Sequence, residues 1–240
     1  MAENKDQEIV LKAVRLSFCN LFAPQKFVDE KTGNERYTYN ANLLIPKKLA
    51  DGSINPQVAV LTDAMKAALA KTWPGQKKVI PSERRCVRDG EPIDPDSVDE
   101  DIPGSGTRVP LYEGYEGHYF VSANRGVDGP DAPNPVQLLG PKKTAKDSQG
   151  RPVFPTVRKS EGLLYSGCYA DVIIRIYGYD GSKNNVPDRI NASLEVVKFV
   201  RHGEAFGAKP VDANSLLDEE DDDDGMGGGG VADEVDDLLA

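Results

Sequence analysis

The sequence predicts a mainly β protein: a small five-stranded barrel with one helix, long loops and a disordered acidic C-terminal tail. Three observations lead there. Several stretches alternate between apolar and polar residues with period two, which marks strands that bury one face. Only one stretch has helical spacing, and the strand–helix–strand alternation of a doubly wound sheet is missing. The last 29 residues, Asp212 to Ala240, hold 12 of the 39 acids and none of the 29 bases, so they carry too much charge to bury a core.

In chain order, Glu8 to Phe18 is rich in β-branched and leucine residues and reads as a strand. Arg36 to Ile45 alternates cleanly, with Tyr37, Tyr39, Ala41, Leu43 and Ile45 on one face and Arg36, Thr38, Asn40 and Asn42 on the other. The DEKTGN segment between them has the Gly and Asn of a turn, which makes the pair a long hairpin. Asn55-Pro56 then opens a helix, with a capping side chain followed by proline at the first helical position. Val58, Leu61, Met65, Leu69 and Trp73 fall on one side of it, and Pro74-Gly75 ends it.

Periodicity is lost from Pro81 to Pro110, where Asp89 to Asp101 carries seven acids and no base. Such a run is a solvated loop or a hard-cation site, and the absence of an EF-hand spacing favours the loop. Tyr115 to Arg125 reads as another strand. The segment after it is basic: Lys142, Lys143, Lys146, Arg151, Arg158 and Lys159 stand against the single acid Asp147, and prolines at 141, 152 and 155 prevent a helix. A cationic loop beside a sheet is either a contact for nucleic-acid phosphates or simply solvated.

Tyr169 to Tyr179 has two unlike faces. Ala170, Val172, Ile174 and Ile176 form a core face, while Tyr169, Asp171, Ile173, Arg175, Tyr177 and Tyr179 form the other. Aromatic rings interleaved with an arginine make a platform on which unpaired bases can stack, provided the long loops do not cover it. Tyr169, Tyr177 and Tyr179, with Tyr37 and Tyr39 of the earlier strand, are the candidate stacking residues. Arg175 joins the six basic-loop residues as a candidate phosphate contact. Ile190 to Arg201 returns as the last strand, where the barrel can close.

The charge balance divides the chain into residues 1–211 and a tail of residues 212–240. The first part carries 27 acids against 29 bases, so its sheet can present a basic face although the whole chain carries −10. Within the tail, Val231, Val235 and Leu238/Leu239 recur at helical spacing after the hinge Gly227 to Gly230. Asp233, Glu234, Val235, Asp236, Asp237, Leu238 and Leu239 therefore make a candidate docking stripe for a basic, apolar groove. The alternative is a solubilising tail.

Three scattered cysteines without CxxC predict neither disulfides nor a zinc site, and the two histidines read as structural or surface residues and not as ligands. No P-loop, GxSxG or HExxH occurs, so neither a cofactor nor a catalytic set is expected. No stretch of 18 apolar residues exists and the N-terminus lacks a signal-peptide core, which predicts a cytosolic protein that does not enter membranes.

The segments GCYADVIIRIYGYD from Gly167 and NVPDRINASLEVVKFVRHGEAFG from Asn185, with VRLSFCNLFAPQKF from Val14 and YEGHYFVSANR from Tyr115, resemble the single-stranded DNA-binding proteins of tailed bacteriophages. The resemblance implies an OB-fold barrel that coats unpaired DNA in phage replication or recombination, in the cytoplasm of an infected host. It also implies a tail that competes with DNA and recruits replication proteins such as a DNA polymerase or helicase. Two rival readings are a nucleic-acid-mimicking interaction module or chaperone with no DNA affinity, and a metal-dependent nuclease built on Asp89 to Asp101.

Overall fold

The computed structural model describes residues 8–28, 33–98 and 106–207. The candidate docking stripe from Asp233 to Leu239 lies outside them. Among the described residues, five long strands carry the fold: β1 (Glu8–Val28), β2 (Glu35–Pro46), β4 (His118–Val127), β8 (Tyr169–Tyr179) and β9 (Arg189–Arg201). Four short strands accompany them: β3 (Val87–Asp89), β5 (Gln137–Leu139), β6 (Ala145–Lys146) and β7 (Pro152–Val153).

The expected hairpin forms, with β1 and β2 in register from Arg15↔Leu44 to Val28↔Glu35. The first half of β1 pairs instead with β8, from Glu8↔Arg175 to Arg15↔Tyr169. One long strand thus serves two neighbours, and β2–β4, β8–β9 and a parallel β4–β9 contact at Ala123↔Ala192 complete the ring. The result is the closed five-stranded, OB-fold-like barrel that the sequence predicts. Closure removes the open sheet edges that would otherwise invite pairing with other chains.

Two bulges let β1 turn this corner. Ala13 (φ 49) and Phe18 (φ 45) both adopt left-handed backbone conformations at breaks in register. Such residues cost roughly 1–3 kcal/mol each and persist only where the surroundings hold them. At Ala13 the holder is Asp171, whose carboxylate accepts the Ala13 N–H (3.1 Å) and bonds Lys12 (3.3 Å) and Lys198 (2.7 Å).

The core is the inward alternation of the ring: Leu11, Leu16, Leu43, Val121, Val172, Ile174 and Leu194 are all fully buried. Each such aliphatic side chain contributes about 1.5–3 kcal/mol by leaving water. Helix α1 (Pro56–Thr72) begins as predicted, with Asn55 Oδ1 accepting the Gln57 N–H at 3.0 Å, and Leu61, Ala68 and the following Trp73 pack into the same core. It lies against β8 at Gly178, where a Cβ would collide with Thr72 and Trp73. Only glycine permits that approach.

Three expectations are corrected. The acid-rich stretch after Pro81 is not purely a loop, because β3 pairs there with β4 (Val87↔Val121) and Asp89 and Glu91 share Lys47 at 2.7 and 2.9 Å. The basic segment contains the small β6–β7 hairpin. The third barrel strand starts at His118, not Tyr115, whose fully buried ring packs with Leu44 and Phe120 under the preceding loop.

Candidate nucleic-acid interface

The outer face of β2 and β4 carries a polar floor. Strand register sets Asn40 beside Asn124 and Asn42 beside Ser122, and Arg36, Thr38, Asn40, Asn42, Ser122 and Asn124, with Phe27 and Ala123, line an open cavity of about 280 Å³. The floor exists because Arg36, Thr38, Asn40, Asn42, Ser122 and Asn124 occupy the even-numbered positions of strands whose odd-numbered positions face the core. The two β2 amides are held by their neighbours. Asn20 Nδ2 donates to Asn40 Oδ1 (2.8 Å), and Asn40 Nδ2 donates to Gln25 Oε1 (3.2 Å). Arg88 Nη2 donates to Ser122 Oγ (2.9 Å), the Ser122 hydroxyl to Asn42 Oδ1 (2.8 Å), and Asn42 Nδ2 to the Tyr115 phenol oxygen (2.8 Å). Burial raises the Tyr115 phenol pKa against hydrogen bonds from Ser17 and Asn42 that lower it, so the ring stays neutral and fixes the end of the chain. Among the described residues, Asn124 has no hydrogen-bond partner for its side chain and is exposed.

Aromatic rings stand at both ends of this floor. Phe27, 41% exposed, pairs with Arg36 across the hairpin at one end. At the other, the Phe18 bulge turns its ring outward to 52% exposure, edge-on to the 55% exposed Tyr112 at 4.8 Å and next to Tyr115. Six residues of extended strand separate Arg36 from Asn42, a span of about 20 Å. A rigid polar floor between exposed rings suits a ligand with flat apolar faces and polar edges, which is the chemistry of unpaired nucleobases.

The predicted stacking residues fare unequally. Tyr39 is corrected: it is 4% exposed and belongs to the core, because it shares the inward phase of Ala41, Leu43 and Ile45. Tyr37, on the same phase at the strand end, is half-buried and bonds Glu35 at 2.9 Å. The Arg201 guanidinium covers the Tyr169 ring at 3.5 Å. The Tyr179 phenol accepts from Asn184 at 2.6 Å, and Tyr177 remains 36% exposed beside Asn191.

The predicted phosphate contacts also divide. Arg175 is ion-paired with Glu8 (2.9 Å) and Arg151 with Asp147 (2.7 Å), so neither is an open cation. Lys142, Lys143, Lys146, Arg158 and Lys159 are exposed on the segment after β5, which itself pairs with the Val196–Lys198 end of β9. They therefore do not join the β2–β4 floor. Sequence reasoning missed the floor, although the polar alternation of Arg36, Thr38, Asn40 and Asn42 was its signal. Nothing local signalled Phe18, whose exposure depends on a bulge.

Elsewhere the thiols of Cys86 and Cys168 are pushed up to about 12 and about 11 by burial, which keeps them protonated and inert.

Comparison with known proteins gives a consistent pattern. The family described as the ssDNA-binding protein of Enterobacter phage Enc34 matches residues 7–226. A protein designated p50 from Acyrthosiphon pisum secondary endosymbiont phage 1 is 29% identical over 206 residues, 83% of this chain and 86% of that protein. The single-stranded DNA-binding protein from bacteriophage Enc34, solved in complex with ssDNA, superposes with a TM-score of 0.53 at 22% identity, covering 85% of this chain and 91% of that one. Its C-terminal truncation gives the same TM-score at 19% identity, covering 84% and 90%. At these identities the structural likeness concerns the fold.

Proposed function

We propose, from the premise that this chain belongs to the family of the Enterobacter phage Enc34 ssDNA-binding protein, that it binds single-stranded DNA on the outer face of β1, β2 and β4. The observation that carries the reading is the hydrogen-bonded polar floor bounded by the exposed rings of Phe27, Phe18 and Tyr112. Bases stack on the rings, and the sugar–phosphate chain meets cations at the margins. The exposed Lys142, Lys143, Lys146, Arg158 and Lys159 extend the contact for longer strands.

The protein acts by occupancy and not by catalysis, coating unpaired DNA during phage replication or recombination in the cytoplasm of an infected bacterium. Its acidic tail, residues 212–240, competes electrostatically with DNA. Tethering gives its 12 acids an effective concentration of order mM for a basic face, and binding of DNA frees them for a replication protein such as a polymerase or helicase.

Fluorescence anisotropy with labelled single-stranded and duplex oligonucleotides, with and without Mg²⁺, tests this reading. The full chain binds the single strand and leaves it intact. Deleting Asp218–Ala240 tightens binding most at low salt, where the Debye length is longest. Absence of affinity in both proteins would leave an interaction module, and loss of DNA with Mg²⁺ a nuclease.

A further inference from the structure

A second cavity, of about 360 Å³, adjoins the polar floor and shares Ser122 and Asn124 with it. Its other walls come from the turn before β3 and the start of β9: Glu83, Arg84, Arg85, Cys86, Arg88, Arg189, Ile190 and Asn191. Four arginines and one carboxylate line it; that carboxylate, Glu83, lies at the ion-pair limit from Arg84, at 4.0 Å, and the neighbouring Asp188, ion-paired with Lys78, also attracts Arg84. Among the described residues, Arg85, Arg88 and Arg189 have no ion pair. This concentration of unneutralised guanidinium is unlike the β8 face, where Arg175 and Asp171 each have a partner of opposite charge.

Two of the arginines are held in place. Arg88 lies over the Phe120 ring at 4.7 Å and bonds Ser122, while Arg85 Nε donates to the Ile80 carbonyl at 2.6 Å. Arg88 Nε is buried and has no hydrogen-bond partner among the described residues, a donor whose desolvation is uncompensated. Guanidinium groups fixed in this way match the oxygens of a phosphate in a fork that lysine cannot reproduce.

We propose that this cavity is a phosphodiester seat, in which one backbone phosphate of the bound strand sits among Arg84, Arg85, Arg88 and Arg189 while the attached base lies over Asn124 toward Phe27. The proposal rests on the single-stranded DNA reading and fixes where the strand leaves the floor. Asn124, the floor amide with an uncommitted side chain, then faces the base edge next to the anchored phosphate.

The test is a salt series of oligo-dT affinity for the full chain and for Arg84→Ala, Arg189→Ala and the double variant. Both side chains lie at the rim, and thermal melts of each variant verify folding. Each alanine flattens the log K against log salt line in part, and the pair flattens it by up to about 0.7, the contribution of the one seated phosphate. Arg84→Lys and Arg189→Lys keep the slope while weakening affinity, since charge remains and the fork is lost. Lys66→Ala, on the exposed side of α1, keeps both. Wild-type slopes in the alanine variants would overturn the seat while leaving DNA binding intact, whereas failure of the wild type to bind oligo-dT would remove the underlying reading instead.

Discussion

The outer faces of β8 and β2 are built by the same alternation, each backed by an inward face that packs into the core, and they reach opposite outcomes. On β8 the charges answer one another: Asp171 holds Lys12, Lys198 and the Ala13 bulge, Arg175 holds Glu8, and Arg201 lies on Tyr169. On β2 the amides are also satisfied, yet they form a floor with open rings at its ends and, beside it, a cavity whose Arg85, Arg88 and Arg189 have no ion pair among the described residues. Residue type alone would favour β8. What distinguishes a ligand surface is exposed ring area and unneutralised charge that remain after the fold has satisfied its own needs.

The largest effect expected from this comparison is structural. Tyr39→Ala removes a core aromatic and should lower stability by about 3–5 kcal/mol, whereas Tyr37→Ala at the strand end should change it little. Denaturant melts of both variants decide this, and equal midpoints would return Tyr39 to the surface.

An intermediate effect separates the two faces directly. Phe27→Ala and Phe18→Ala should each weaken oligo-dT binding by roughly 1–3 kcal/mol without changing the salt slope, because stacking releases no counterions. Tyr177→Ala should have a smaller effect. A larger loss for Tyr177 than for either phenylalanine would restore the β8 platform.

The smallest effect concerns pH. Burial pushes the Asp171 carboxyl up, but hydrogen bonds from Lys198, the Ala13 amide and Lys12, with the Lys198 charge, outweigh it and hold the pKa below the ordinary value. A depressed folded-state pKa contributes stability that is present above the unfolded value of about 3.9 and is lost as pH falls through the folded one. The stability gap between wild type and Asp171→Asn should therefore narrow under acid titration below about pH 4. A gap that stays constant there would show that charge on Asp171 is not what fixes the bulge.

Much of this architecture is legible in the chain. The Tyr169–Tyr179 alternation, the Asn55-Pro56 start and the polar series Arg36, Thr38, Asn40 and Asn42 are local patterns, and each appears where it was expected. The candidate site was less legible. Choosing the inward phase for Tyr39 required knowing which face of β2 meets the core, and finding Arg84, Arg85 and Arg88 required β3 to dock on β4 from a stretch that looks like an acidic loop.

By itself the sequence determined the periodicities, the single helix, the charge asymmetry between residues 1–211 and the tail, and the family resemblance, because all of these are properties of neighbours along the chain. Tertiary structure decided which tyrosines are buried, which cations are already neutralised, and that Phe18 points outward. Those outcomes depend on closure of the ring through β4 and β9 and on the bulges that closure imposes on β1, contacts between residues far apart in sequence whose partners no local pattern names.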